Sequence, residues 1–289
     1  MLKNYFSIFF FFILINLSVS NTFAQSAESD GYNEFSIRKV HESYLMWNRT
    51  IWQRVDMKEK INQPFFSKNR EMSKIIIDAV ERGVLIAYKP DDFNYDSAEI
   101  IMGPDDFIKA LEDKTQDIIE CTTDENGCND SGCPGDIFYE PCPEVEAAAL
   151  IPPEEFSVFR LRENWYFDRI HSRYYFDTQT VTMMLSNRSI YNREEADQAV
   201  ATFRFIDLYN LFKSMPKDAI WFNENNTAQH KNMGDAFLLR LFSGNIVKFS
   251  NIGNQNLTDI YDLEGAEGFA KSIEFLQMLM EWEANLWEY

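Results

Sequence analysis

Residues Tyr44–Phe66 read YLMWNRTIWQRVDMKEKINQPFF, and this stretch decides how the first half of the chain is built. Trp47, Ile51 and Val55 recur at a helical spacing of four residues, whereas Ile51 and Val55 also share one side of a strand, so periodicity leaves both structures open. We predict a helix that ends near Arg49 and then a strand. The segment carries no pattern typical of catalysis.

Outside this stretch, helical and strand patterns alternate. Apolar residues at three- and four-residue spacing predict helices at Glu71–Arg82, from Gly103-Pro104 onward, and at Arg193–Met215, Met233–Phe242 and Glu264–Trp287. Apolar and β-branched runs predict strands at Val84–Tyr88, Ala98–Met102, Val158–Leu161, Trp165–Arg169, Tyr174–Met184, Ala219–Phe222 and Asn245–Ser250, with turns at Arg162–Asn164 and His171-Ser172. The last helix is predicted to bury an apolar side formed by Phe269, Ile273, Leu276, Met280 and Trp287. The pattern predicts an α+β fold of mixed helices and short antiparallel strands in one main domain.

The amino terminus has the composition of a secretory signal peptide. Lys3 precedes a phenylalanine-rich apolar run that is short for a membrane span, and Thr22-Phe23-Ala24 supplies a small-x-small cleavage pattern. We therefore predict a signal peptide at residues 1–24, a flexible mature terminus at 25–33 and one domain at 34–289. An uncleaved anchor is the alternative. No cysteine follows the predicted cut, so the sequence predicts no lipid attachment there.

The chain is strongly acidic, with a formal net charge of −19. Such a balance opposes binding to nucleic acid and to anionic lipid, because both require a basic surface. It is compatible with a basic protein partner, with bound cations, or simply with solubility.

Residues 112–155 form an acidic segment that is predicted to be a loop inserted in the domain. All four cysteines of the protein fall within it, at Cys121, Cys128, Cys133 and Cys142, between glycines and prolines. In an exported protein this pattern indicates two disulfides that restrict the unfolded chain, and three pairings are open.

Two metal sites are alternatives for the same segment. A zinc site of four cysteines lacks the close C-x2-C pairs typical of such sites. A calcium site would use the oxygen ligands of Asp124, Asn126, Asn129 and Asp130, although their spacing does not match an EF-hand. We predict no metal and no cofactor.

No known catalytic pattern stands out in the sequence. His41, His171 and His230 are far apart, and there is no H-E-x-x-H motif, nucleophile elbow, P-loop or dinucleotide-binding fingerprint. Acidic pairs such as Asp105-Asp106 are too common in this chain to indicate glycoside hydrolysis. Aromatic residues make up 15% of the chain; most of them are expected in the core, and the surplus are candidate anchors of a protein interface. We predict that the protein is not an enzyme; an exported hydrolase with an unrecognised site and an exported cation-binding module remain alternatives.

Several blocks of the sequence resemble one family, in family order and over residues 34–289. They are Met46-Trp47 with Ile51-Trp52-Gln53-Arg54-Val55-Asp56, Asn164-Trp165-Tyr166-Phe167-Asp168, Ala236-Phe237 with Arg240, Phe242-Ser243, Ile246 and Lys248, and Leu286-Trp287-Glu288-Tyr289. They are similar to the GldN/PorN family of type IX secretion and gliding-motility proteins of the Bacteroidetes. The acidic cysteine segment and residues 187–217 depart from the family pattern.

The resemblance implies a non-enzymatic periplasmic subunit at the outer membrane. Such a subunit is expected to build a ring with a GldK/PorK-like lipoprotein, to associate with further copies of itself, and to contact a GldM/PorM-like motor protein. The residues expected to act as interface or packing anchors are Trp47, Trp52, Arg54, Asp56, Trp165, Phe167, Asp168, Arg240, Phe242, Leu286, Trp287 and Tyr289.

Overall fold

A seven-stranded antiparallel sheet organises the protein. The computed structural model describes residues 31–33, 36–90, 98–113, 149–194, 196–261 and 266–286. The strands of the large sheet are β1 Leu45–Asp56, β4 Ala87–Tyr88, β5 Ile101–Met102, β6 Val158–Asp168, β7 Arg173–Leu185, β8 Gln198–Arg204 and β11 Asn245–Phe249. Their order across the sheet is β11-β1-β6-β7-β8-β4-β5. Two small hairpins pair β2 Phe66–Ser67 with β3 Arg70–Glu71, and β9 Ile220–Trp221 with β10 Lys231–Asn232.

Six α-helices lie within the described ranges. They are α1 Met72–Glu81, α2 Pro104–Ala110, α3 Phe205–Ser214, α4 Met233–Leu238, α5 Leu257–Tyr261 and α6 Ala266–Leu286. Helices and antiparallel strands together confirm the predicted α+β class. The central strands β1, β6 and β7 are longer than the short strands that the sequence predicted, at 12, 11 and 13 residues.

The predicted helix before Arg49 is wrong, because β1 is a single strand from Leu45 onward. Its backbone pairs with β6 on one side along its length and with β11 on the other side from Ile51 to Arg54. Both ladders satisfy the backbone groups that a helix would otherwise satisfy internally. Pairing with distant strands therefore decided between two patterns that were equal on local grounds.

The predicted turn at residues 162–164 is also wrong. These polar residues lie inside β6, paired with β1 and with β7. The true turn of the β6–β7 hairpin follows Asp168 and contains Ser172, whose φ is +49°. This places the turn at the predicted His171-Ser172 position, and the two long strands form the centre of the sheet.

The predicted helix at Arg193–Met215 is correct only in its second half. Residues Gln198–Arg204 form β8, which pairs with β7 and with β4 before α3 begins at Phe205. Alanine and phenylalanine side chains of β8, such as Ala201 and Phe203, fit between the sheet and the helices and are fully buried. Burial against the sheet overrode the helical spacing of this segment.

Two clusters of buried side chains hold the layers together. The larger cluster packs β1, β6, β7 and β8 against α1, α3 and α4, with Phe65, Phe159 and Phe237 among its members. The smaller cluster packs β1, β6 and β11 against α5 and α6. Phe159 and Trp165 lie six residues apart on the same face of β6, because alternate residues of a strand share a face; Phe159 belongs to the first cluster and Trp165 to the second.

Helix α6 confirms the predicted C-terminal helix but not its predicted apolar side. Phe275 and Leu279 are the residues of α6 that are buried in the smaller cluster. Ile273 and Met280, which were predicted to be buried, are 42% and 55% exposed. The helix is rotated so that Phe275 stacks on Phe249 of β11, with ring centroids 4.6 Å apart. An apolar stripe of α6 therefore remains at the surface.

Some predictions lie outside the described residues. These are the signal peptide, most of residues 25–33, the four cysteines with the alternative calcium ligands, and Trp287 and Tyr289. In the part of the chain that the structure does describe, no helix combines the length and the apolar character that crossing a membrane requires.

Candidate functional site

A buried ion pair between Glu163 and Arg240 joins the two clusters. Glu163 lies on the same face of β6 as Leu161 and Trp165 and is fully buried. Arg240 Nη1 donates to both of its carboxylate oxygens, at 2.9 and 2.8 Å. Thr178 Oγ1 on β7 and Trp165 Nε1 also donate to this carboxylate, at 3.0 and 2.8 Å. Four donated bonds offset the cost of burying the charge.

The guanidinium of Arg240 is enclosed by aromatic rings. Its central carbon lies 4.4 Å from the ring centre of Phe176, 5.1 Å from that of Phe242 and 5.4 Å from that of Trp165. Arg240 follows the end of α4 and has φ +52°, a conformation that usually favours glycine. The strained backbone directs the side chain from the helix end to Glu163.

A second polar group lies at the β1–β11 edge. Lys248 of β11 is only 1% exposed, and its Nζ lies 4.7 Å from the ring centre of Trp52 and donates to the side chain of Asn254. Arg54 Nε donates to Asp197 Oδ2 at 2.5 Å. Burial alone would lower the pKa of Arg54, but the hydrogen bond and charge of Asp197 outweigh it and raise that pKa.

These residues line an open cavity of about 540 Å³ between β11 and the C-terminal helices. Its wall combines Trp52, the Arg54–Asp197 pair and Lys248 with Ser272 of α6. The lining holds three cationic side chains, Arg54, Arg160 and Lys248, and one carboxylate, that of Asp197, which pairs with Arg54. The charge of the cavity wall is therefore positive overall.

Trp47 and Phe167 belong to a group of aromatic side chains that also includes Tyr174 of β7 and Trp282 of α6, here called the aromatic layer. The ring of Trp47 lies 4.9 Å from that of Trp282 on α6 and 5.5 Å from that of Tyr174 on β7. Phe167 is buried, and its ring lies 5.8 Å from that of Tyr174. This layer fixes α6 to the amino-terminal half of β1.

Asp168 organises the turn of the β6–β7 hairpin. Its carboxylate accepts from the backbone N–H of Ile170 at 2.8 Å and from that of His171 at 3.3 Å, and it contacts His171 Nδ1 at 2.5 Å. Burial raises the pKa of Asp168, but the hydrogen bonds from His171 and Ile170 outweigh it, and the net pKa is lowered. Asp56 has a similar local role, since its Oδ1 accepts from the backbone N–H of Lys58 at 2.9 Å.

The predicted anchors are thus divided among several places. Trp165, Arg240 and Phe242 meet around Glu163, whereas Trp52 and Arg54 lie at the cavity, and Leu286 is the last residue of α6. Glu163 was missed because residues 162–164 were interpreted as a turn. The available signal was the alternation Phe159, Leu161, Glu163, Trp165, which places Glu163 on the apolar face of the strand.

The arrangement contains the features of a structural site. The Glu163–Arg240 and Arg54–Asp197 pairs tie distant segments of the chain together, whereas Asp56 and Asp168 bond within their own turns. The described ranges hold no group of three or more histidine, cysteine or acidic side chains that could bind a metal. The Glu163–Arg240 pair joins β6 to the end of α4, so the geometry is that of an α+β fold whose packed elements are held together at this site.

Comparison with known proteins identifies the family. Residues 40–288 match the model of the family described as gliding motility associated protein GldN. The match covers nearly the whole chain, and the protein belongs to the GldN family. Membership associates it with gliding motility and type IX secretion, in a periplasmic and structural family. Among curated proteins, none matches the chain significantly.

Proposed function

We propose that the protein is a non-enzymatic structural subunit of the type IX secretion and gliding-motility machinery. The observation that carries this proposal is the family match over residues 40–288. In the proposed role, the subunit forms a periplasmic ring with a GldK/PorK-like outer-membrane lipoprotein and contacts a GldM/PorM-like motor protein. Contact with the membrane then occurs through these partners.

An exposed apolar patch at the β4–β5 edge of the sheet supports an assembly role. It consists of Val84, Ile86, Ile100 and Ile101, which are 67%, 48%, 61% and 63% exposed. The register aligns Tyr88 of β4 with Ile101 of β5, so these residues flank one short strand pair. We call them the β5 patch. Grouped exposed apolar side chains typically mark protein interfaces.

A second apolar surface lies at the opposite edge of the sheet, where α6 packs against β11. It consists of Ile273 and Met280, which lie seven residues apart on one face of α6 and are both exposed. A ring subunit needs two different surfaces that complement each other, because a head-to-tail contact closes by rotation. The two edges of this sheet supply two such surfaces.

The predicted anchors divide accordingly. We assign Trp52, Trp165, Phe167 and Phe242, which are buried within the chain, to packing. We assign Leu286, Trp287 and Tyr289 to partner contacts, because they follow in sequence the part of α6 in which Ile273 and Met280 are exposed. We further propose that residues 1–24 are removed on export and that the four cysteines form two disulfides in the periplasm.

The test is purification of the tagged protein from its native envelope under mild conditions. We expect a lipoprotein to co-purify and electron microscopy to show large rings. A monomer without partners, from cells whose secretion system is active, would contradict the proposal.

A pair of variants tests the β5 patch itself. Ile101→Lys places a charge on the patch, and we expect it to abolish ring formation while the melting temperature stays unchanged. Ile190→Lys is the matched control, because Ile190 is 81% exposed and lies outside the patch. Equal ring yields from the two variants would remove the patch from the interface.

A further inference from the structure

A small polar pocket lies where residues 31–33 and 36–45 cross the ends of the central strands. Its volume is about 210 Å³. It is lined by Gly31, Tyr32, Asn33, Val40, Glu42, Leu45, Asn48, Asn164, Tyr166 and Asp177. The lining includes two carboxylates and no lysine or arginine. This charge balance favours a cationic ligand.

Tyr166 supplies a polar group that the protein itself does not use. Its side chain is 3% exposed, and its hydroxyl forms no hydrogen bond within the described part of the chain. Burial raises the pKa of this phenol, so it stays protonated under ordinary conditions. A buried hydroxyl without a partner costs folding free energy, which a ligand atom at hydrogen-bond distance would recover.

Asp177 is the second such group. Its Oδ2 accepts from Asn33 Nδ2 at 3.1 Å and from Gln179 Nε2 at 2.6 Å. No arginine or lysine of the described ranges forms an ion pair with it, although it is only 8% exposed. By contrast, buried Glu163 has Arg240. The Ser36 hydroxyl is a further neutral neighbour of this carboxylate. A buried carboxylate that only neutral groups contact has an unmet preference for a positive charge.

We propose that this pocket binds a primary ammonium group on a short alkyl stem, of the kind found at the end of a lysine side chain. An ammonium has three donors and no acceptor. Those three donors match the Asp177 carboxylate, the Tyr166 hydroxyl oxygen and an asparagine side-chain oxygen of the wall. The proposal does not depend on the ring assignment.

The size and ligand set of the pocket argue against other cations. Its volume equals that of roughly seven waters at ~30 Å³ each, which suits a side-chain end rather than a drug-sized molecule. Calcium takes six to eight oxygen ligands, commonly several carboxylates. Only Asp177 and Glu42 contribute carboxylates here.

Binding is tested with two ammonium probes and one neutral probe. We would titrate the full mature protein with n-butylammonium, with Nα-acetyl-lysine N-methylamide and with 1-pentanol, and follow the melting temperature. Both ammonium probes should raise it in a concentration-dependent manner, and the alcohol should not. If only n-butylammonium binds, the source of the group is a free amine rather than a lysine of a polypeptide.

Two variants and one control locate the site. Asp177→Asn removes the charge and should weaken n-butylammonium binding about tenfold, the value of one charge-assisted hydrogen bond. Tyr166→Phe should weaken binding as well, yet leave the unliganded protein as stable as before or more so, because the lost hydroxyl has no partner. Tyr175→Phe is the control, because the Tyr175 ring lies 5.6 Å from that of Tyr166 but does not line the pocket.

Acidic pH supplies an independent measurement. Burial raises the pKa of Asp177 to about 6. Because binding needs the ionised carboxylate, affinity for n-butylammonium should fall about tenfold from pH 7.5 to pH 5. The other titratable or charged groups around Asp177 are Arg38 and Glu42 of the amino-terminal segment, Glu163, Tyr166 and Asp168 of β6, and Tyr175 of β7.

The outcomes separate clearly. A melting-temperature rise that Asp177→Asn and Tyr166→Phe both reduce, and that Tyr175→Phe keeps, supports the proposal. Equal responses of all variants, no response to either ammonium probe, or an equal response to 1-pentanol would overturn it. A large loss of stability in unliganded Tyr166→Phe would also overturn it, since the hydroxyl would then be part of the fold.

Discussion

Replacing Arg240 should destabilise the protein more than most surface substitutions would. Arg240→Ala leaves the fully buried Glu163 carboxylate with bonds only from Thr178 and Trp165. Removal of one partner of a buried pair typically costs about 3–5 kcal/mol. The Arg240 side chain is 27% exposed, so water can reach part of the site, and we expect about 3 kcal/mol.

The backbone of Arg240 gives this prediction a matched control. Its φ of +52° costs a residue with a Cβ about 1–2 kcal/mol, and glycine avoids that cost. Arg240→Gly should therefore be about 1 kcal/mol more stable than Arg240→Ala, although both lack the guanidinium. Adding Glu163→Gln to Arg240→Ala should recover part of the loss, because the uncompensated charge disappears.

The assay is urea unfolding of the mature protein, monitored by tryptophan fluorescence, with the free energy of unfolding obtained by linear extrapolation. If Arg240→Ala costs less than about 1 kcal/mol, the Glu163–Arg240 pair contributes no more to stability than a surface ion pair does. If the glycine and alanine variants are equally stable, the strain argument fails. Strictly additive effects of the Arg240 and Glu163 changes would refute direct coupling.

Two further predictions concern pH and close packing. Burial raises the pKa of Asp177 from 3.8 to about 6, so its folded form binds a proton more tightly than its unfolded form, and stability should fall by about 2 kcal/mol as pH rises from 4 to 7. Asp177→Asn should remove this slope in acid-unfolding curves; an unchanged slope would mean that another group causes it. A Cβ at Gly244 would lie 2.8 Å from Val55 Cγ2, so Gly244→Ala should cost about 1–3 kcal/mol. Gly103→Ala is its control, since no atom lies within 4 Å of a Cβ there, and equal thermal shifts would contradict the packing argument.

The family and the fold class were accessible from the sequence. The Trp52, Trp165 and Lys248 blocks indicated the GldN/PorN family, and the match over residues 40–288 confirms that family. Helix α1, the β6–β7 turn and strand β11 were predicted close to their observed positions. These elements have strong local signals: apolar residues at helical spacing before a glycine, a polar turn between aromatic runs, and a short apolar run after a glycine.

Other features depended on residues far apart in the chain. β1 is a strand because β6 and β11 pair with both of its edges, and the buried side of α6 is the one that meets Phe249. Glu163 is polar in sequence but sits on the inner face of β6, since Arg240, 77 residues later, neutralises it. Local sequence determined the types of most elements through spacing and turn chemistry. Tertiary structure decided which faces are buried and which charges meet, because those depend on partners that no local window contains.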